Sequence, residues 1–247
     1  MKIHWILFLS LDYDINFLPH LVKHYGKYID TGYFVLHKAK KETDKSKERY
    51  AINLLHSTWN DSDIRLWYGF YSDRERIVIA NRYISYLPPD DMIFMCDSDE
   101  FFTFPFLIPI LAKKIINNEQ NNVVRCRMID RWADPTNRKV LPPVDPSISL
   151  SEQFPYYFKL CKNDELKDCL YRVEDHGDRV IYAIHYVSYS NSPILILSYL
   201  LDHYKWTSVR PMKLHQWIHE CYLVPNVSKE HQDYIADYFK NMLKEIT

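Results

Sequence analysis

An α/β fold, a mostly parallel sheet flanked by helices in a single domain, is what this sequence predicts. Three observations predict it. Through the first hundred residues, apolar runs of strand length alternate with amphipathic stretches of helix length, the pattern of parallel strands joined by helical crossovers. No internal repeat, low-complexity segment or linker divides the 247 residues, a length within reach of one large domain. The apolar run Met92-Ile93-Phe94-Met95-Cys96 then delivers three carboxylates in four residues, Asp97, Asp99 and Glu100. The carboxyl end of a strand is where open α/β sheets take their ligands.

The elements follow in order. Residues 5–11 read as the first strand, and Asp12 or Asp14 caps a helix to about residue 25 with Leu18, Leu21, Val22 and Tyr25 on one face. Residues 32–37 read as the second strand. The Lys-rich stretch 38–47, interrupted by Glu42 and Asp44, reads as a solvated loop. A helix over 46–57 leads to a strand over 63–68. Ser72 or Asp73 caps a helix over 74–86, which Pro88-Pro89 closes before the strand at 92–96. Beyond the acidic motif, 106–117 reads as a helix and 122–129 as a strand. Residues 134–153, carrying Pro135, Pro142, Pro143 and Pro146, read as a long irregular loop. A strand is expected at 180–187 and helices at 194–204, 211–221 and 229–244.

Composition excludes several classes. Lys and Arg total 31 against 32 Asp and Glu, a net charge of −1, so nothing in the charge balance calls for nucleic acid. Only 4 glycines occur, which removes phosphate-binding loops and dinucleotide fingerprints. The 5 cysteines include no CxxC pair and read as reduced core thiols, with Cys161 and Cys169 the pair close enough in sequence to bridge. The apolar stretch 1–11 is too short to span a bilayer and has no cleavage site. The runs 101–112 and 193–201 are also too short. The expectation is a soluble, cytoplasmic protein without a transmembrane segment.

The acidic motif carries the chemistry. Alternate residues of a strand face the same way, so an extended chain would aim Asp97 and Asp99 at one spot. Carboxylates so close repel one another and resist burial unless a cation sits among them. Hard oxygen ligands at a strand end suit Mg²⁺ or Mn²⁺, and such an ion suits a diphosphate.

On these residues the chain resembles glycosyltransferases of the GT-A (Rossmann-like) fold, which carry a DxD motif at a strand end. Asp97-Ser98-Asp99-Glu100-Phe101-Phe102 is similar to the DxDEF subgroup among relatives of glycosyltransferase family 2, and His203-Tyr204-Lys205-Trp206 to the HyKW segment found there. The likeness spans roughly residues 1–210, and the chain departs from family 2 in lacking a Gln/Arg-x-x-Arg-Trp segment.

The resemblance implies a nucleotide-sugar donor, a uridine diphosphate (UDP) sugar foremost, a Mn²⁺ or Mg²⁺ ion, and inverting transfer to the hydroxyl of a glycan or other acceptor. Residues 1–102 would form the nucleotide-binding half, and 103–247 the acceptor-side half with the C-terminal helices. Asp12 would contact base or ribose, or else serve only as the helix cap. Asn81 and Arg82 would lie near the nucleotide, or else on a solvated helix face. Asp97 would orient ribose or metal-bound water, Asp99 would bind the metal, and Glu100 would support that shell or face the acceptor. His203 would be the further metal or pyrophosphate contact, with His185 as its rival, and Lys205 would neutralise phosphate charge. An inverting transfer needs a general base. The family pattern points to Asp175, then Glu174, with Asp130 and Asp134 competing. Two other readings stay open: a nucleotidyl- or phosphotransferase using the same acids, and a non-catalytic nucleotide-sugar-binding module.

Overall fold

A computed structural model describes residues 1–40, 44–117, 123–133, 142–157, 166–173, 181–183, 186–187 and 194–204. In chain order the elements are β1 (Ile3–Ser10), a single 3₁₀ turn (Ile15–Phe17), α1 (Leu18–Tyr25), β2 (Thr31–Lys38), α2 (Ser46–Thr58), β3 (Asp63–Tyr68), α3 (Asp73–Ile84), β4 (Met92–Met95) and β5 (Glu100–Phe102). Then come α4 (Leu107–Asn117), β6 (Val123–Trp132), α5 (Leu150–Gln153), β7 (Tyr156–Tyr157), β8 (Leu166–Arg172), β9 (Ile181–Ala183), β10 (Tyr186–Val187) and β11 (Ile194–His203).

Nine strands form one sheet in the order β3-β2-β1-β4-β8-β6-β11-β5, with β7 paired to β6. The first four are mutually parallel, and β6 and β11 are parallel to each other. β8 runs antiparallel to both β4 and β6, so β6 and β11 share the direction of β1–β4. Only β5, β7 and β8 oppose it. The expected α/β architecture, six strands one way and three the other, therefore holds among the described residues. The order 3-2-1-4 reverses between β1 and β4, which opens a crevice at their carboxyl ends.

Burial on both faces explains the apolar run of β1. Trp5, Leu7 and Leu9 pack under α1, α2 and α4, while Ile6 and Phe8 pack against Ala80 and Ile84 of α3. Trp5 anchors the first face. Its ring meets Tyr25, Phe34 and Trp59 edge-on at centroid distances of 4.9, 5.7 and 5.7 Å. At the far edge, β5 has no strand beyond it among the described residues. The Tyr25 hydroxyl accepts from Phe102 N (2.7 Å) and donates to Glu100 O (3.1 Å), and His24 Nε2 donates to Phe102 O (2.7 Å). Side chains of α1 thus satisfy backbone groups that an edge strand would otherwise leave open.

Several expectations are corrected. The helix expected at 194–204 is the strand β11, next to the β5 edge of the sheet. Its run Ile-Leu-Ile-Leu-Ser-Tyr-Leu-Leu carries no period that separates buried strand from buried helix. Its backbone is taken by β6 on one side and β5 on the other. The single strand expected at 180–187 is the antiparallel pair β9 and β10, in a separate small sheet. Residues 134–153 include α5, opened by a Ser149–Glu152 capping box. β5, β7 and β8 had no counterpart in the sequence reading. The helices expected at 211–221 and 229–244 lie outside the described residues. Among those described, no helix is long and apolar enough to cross a membrane.

Burial outweighs the Phe102 carbonyl bond and lowers the His24 pKa to about 4 from its ordinary 6.5. Between these values the unfolded chain takes a proton that the folded chain refuses, so stability falls as pH drops through the window. We expect the parent to lose roughly 2–3 kcal/mol more than His24→Gln between pH 7 and pH 4, read as the difference in urea unfolding free energy. Parallel profiles would remove His24 as the cause.

Candidate active site

The buried strand β4 ends at Met95, on the β1–β4 crevice, and the chain turns there instead of staying extended. Glu100 N donates to Asp97 O (3.1 Å), and Glu100 Oε2 accepts from Asp97 N (2.7 Å). Strand alternation therefore stops before the motif, and the two aspartates have different partners. Asp97 meets Arg76 and Lys167, whereas Asp99 meets His203. Between them Ser98 is buried, and its hydroxyl donates to Asp14 Oδ2 (2.7 Å), tying the motif to the turn after β1.

Asp97 sits between two protein cations. Arg76 comes from the first turn of α3, a helix capped by Ser72, whose Oγ accepts from Glu75 N. Gly69, at φ 120°, turns the chain from β3 toward that helix. The Arg76 guanidinium lies 5.0 Å over the Phe8 ring, donates to the Tyr71 hydroxyl (3.2 Å) and pairs with Asp97 Oδ1. Lys167 Nζ reaches Asp97 Oδ2 at 3.0 Å and Glu100 Oε2 at 2.5 Å. A β-bulge delivers it. Val124 pairs with Leu170 but Arg125 pairs with Asp168, so Cys169 is an extra residue in β8. Lys167 therefore pairs with Cys126 and shares the face of Cys126 and Leu170. Without the extra residue, alternation would put it on the opposite face with Tyr171.

The charges respond to this packing. Burial raises the Asp97 carboxyl, but Arg76 and Lys167 outweigh it and hold Asp97 well below the usual carboxylate range. Burial, opposed by Lys167 and reinforced by Asp97, pushes Glu100 up to about 7. Burial alone would lower Lys167, yet Asp97 and Glu100 hold it above the ordinary lysine value.

His203 ends β11, beside Asp130 of β6 and opposite Glu100 of β5. Its Nδ1 lies 2.9 Å from Asp130 Oδ1, and its Nε2 faces Asp99 Oδ2 at 3.3 Å. Tyr204 N donates to Asp99 O (2.8 Å), so the backbone also joins β11 to the motif. Burial lowers the imidazole, but Asp99 and Asp130 prevail and raise it to about 9.

The other expected residues fall as follows. Asp12, in the turn after β1, accepts from Ala39 N (3.0 Å) and so faces the end of β2 instead of capping α1. Asn81 and Arg82 lie in the last turns of α3, past Arg76. The neighbouring Tyr83 packs on Tyr33 and His4, near the amino ends of β2 and β1. The structure thus brings Arg76, not Asn81 or Arg82, to the motif. Lys205, Glu174, Asp175, Asp134 and His185 lie outside the described residues. Asp14, expected only as a cap of α1, instead accepts from Ser98, because α1 begins after Phe17 without a side-chain cap. Arg76 and Lys167 had no place among the expected site residues. A Ser cap followed four residues later by Arg was the one available signal for Arg76.

Among the described residues, no group of three or more His, Cys, Asp or Glu side chains forms a metal cage. Asp99 Oδ2 and His203 Nε2, a hard oxygen and an imidazole nitrogen at 3.3 Å, are the pair that could receive an ion once Nε2 gives up its hydrogen. Mg²⁺-type sites take one or two protein ligands and fill the rest with phosphate and water. Asp97 does not belong to that donor pair, because each of its oxygens rests on a protein cation.

No protein-family model matches the chain, and no curated protein matches it. Among solved structures, it is similar to glucosyl-3-phosphoglycerate synthase from Mycobacterium tuberculosis, solved with Mn²⁺, UDP and phosphoglyceric acid. Identity is 15%, the TM-score 0.33, and coverage 51% of this chain and 43% of that one, less than half the synthase's length. Mannose-6-phosphate isomerase from Helicobacter pylori matches at 12% identity and TM-score 0.39, covering 70% and 72%. 4-Diphosphocytidyl-2C-methyl-D-erythritol synthase matches at 11% identity and TM-score 0.40, covering 79% and 89%. All three TM-scores are below 0.5, and the functional reading rests on this chain's own residues.

Removing Lys167 would leave Asp97 and Glu100 sharing Arg76. We expect Lys167→Met to cost about 3–5 kcal/mol in urea unfolding, and the added Glu100→Gln to recover part of it. A loss under about 1 kcal/mol would show that water, not Lys167, compensates these carboxylates.

Proposed function

We propose that this chain is a metal-dependent glycosyltransferase that moves a sugar from a nucleotide donor, a UDP-sugar foremost, to an acceptor hydroxyl in glycan or polysaccharide synthesis. The observation that carries the reading is the meeting of Asp99 with His203 at the carboxyl end of β4, beside the reversal of strand order. It is supported by the likeness of the two segments that supply these residues to the DxDEF and HyKW motifs.

In this reading the nucleotide lies across the carboxyl ends of β1, β2 and β4. Asp12, which links the turns after β1 and β2 through its bond from Ala39 N, would meet ribose or base. Asp99 and His203 would hold Mn²⁺ or Mg²⁺, which when bound supplies Lewis acidity at the leaving diphosphate. Arg76 and Lys167 fix Asp97, and through the turn they fix the direction of Asp99. Lys205, next in sequence after Tyr204, is assigned to phosphate charge by its motif. Asp175 and Glu174 remain the assignment for the base that removes the acceptor proton, because the Asp130 carboxylate is engaged by His203.

Release of nucleoside diphosphate from a panel of nucleotide sugars with Mn²⁺ tests the proposal. Slow donor hydrolysis reports turnover before any acceptor is known. We expect Asp99→Ala to lower the rate by about 10²–10⁴ while its unfolding stays cooperative. Pyrophosphate release from nucleoside triphosphates would replace sugar transfer with nucleotidyl transfer. Failure of every nucleotide to turn over or to raise the melting temperature would overturn the enzyme reading.

A further inference from the structure

Asp130 entered as a possible general base, but its surroundings give it other work. We infer that Asp130 is a positioning residue that fixes the His203 ring so that Nε2, and not Nδ1, faces Asp99 and the ion and diphosphate they receive. The inference rests on the proposed donor site.

The backbone prepares the contact. His203 and Asp130 are register partners on β11 and β6, parallel neighbours inside the sheet, so their side chains leave the same face from adjacent points. The result is the 2.9 Å contact from Nδ1 to Asp130 Oδ1. A carboxylate only accepts, so Nδ1 must carry the hydrogen. The two ring nitrogens point away from each other; with the hydrogen at Nδ1 kept by Asp130, Nε2 is the nitrogen that exchanges its hydrogen for an ion. Nε2 is thereby aimed at Asp99 Oδ2, 3.3 Å away. Asp99 is held in turn by the bond from Tyr204 N to its carbonyl. Metal-binding histidines commonly give their second N–H to a carboxylate, which fixes tautomer and ring plane and strengthens the ligand. Because the ring stands between them, Asp99 and Asp130 cannot close on one ion. Their division into ligand and orienter follows from that geometry.

Mn²⁺ alone, titrated into the full chain and followed by electron paramagnetic resonance, is the probe, with UDP added in a second series. Pulsed measurements read the coupling of a directly bound nitrogen. In the parent we expect that coupling to be present, and in His203→Ala absent. Asp130→Ala should bind Mn²⁺ about 10–100-fold more weakly with altered nitrogen coupling, and the near-isosteric Asp130→Asn should fall between. Melting in metal-free buffer identifies variants that fail to fold. If Asp130→Ala fails, Asp130→Asn decides. Parental affinity and coupling in a folded Asp130 variant would overturn the inference, and a rate loss accompanying them would return Asp130 to the role of base. A parent that binds no Mn²⁺, with or without UDP, would also overturn it. UDP-sugar turnover in chelator would then leave the transfer reading standing.

Discussion

Buried carboxylates are tolerable only beside cations, and that requirement organises the end of β4. Buried Asp99 and Glu100 and partly buried Asp97 and Asp130 are answered by Arg76, Lys167 and His203. Breaking one such buried pair costs several kcal/mol, more than a helix cap or a surface ion pair contributes. Each cation comes from a different element, α3, β8 and β11, and from widely separated sequence. The charges thus join the two halves of the chain at one point. Moving any of these elements away from the motif would bury an unanswered charge.

The sheet makes this convergence possible. A strictly parallel sheet would place β6 beside β4, with no side chain able to enter under the motif from between them. Inserting antiparallel β8 there, with one extra residue at Cys169, turns Lys167 onto the face that the acids occupy. On the other side of β4, the reversal of strand order leaves the crevice toward β1 open, bordered by Asp12 and by Asp14 with its bond to Ser98. Charge compensation closes one side of the motif and topology opens the other. That asymmetry gives the site a direction in which a ligand can approach.

Legibility in the sequence followed the range of the forces. β1 to β4 and α1 to α3 were readable because local period specifies them, and Ser72 does cap α3 as the sequence suggests, although no side chain caps α1 or α2. The need for a cation among Asp97, Asp99 and Glu100 was also readable from desolvation alone. Which cation answered it was not. Lys167 reaches the site through a bulge, a register event between strands far apart in sequence, and nothing in the residues around it signals that shift. β11 was misread because its continuous apolar run carries no alternation that would mark a strand, so only pairing with β6 and β5 separates it from a helix.

The same reasoning separates the two aspartates of the motif. Asp97 rests one oxygen on Arg76 and the other on Lys167, and Lys167 also serves Glu100. Freeing Asp97 for an external ion would strand one or both of these buried cations, a cost set against whatever the ion could return. Asp99 faces a different kind of neighbour. An imidazolium can release its Nε2 proton and become a metal ligand, so an ion placed between Asp99 and His203 exchanges that proton for a second donor, whereas an ion at Asp97 would meet a guanidinium and an ammonium. Electrostatics alone therefore assigns the motif's first aspartate to the protein and its second to the ligand, although the sequence presents them as equivalents.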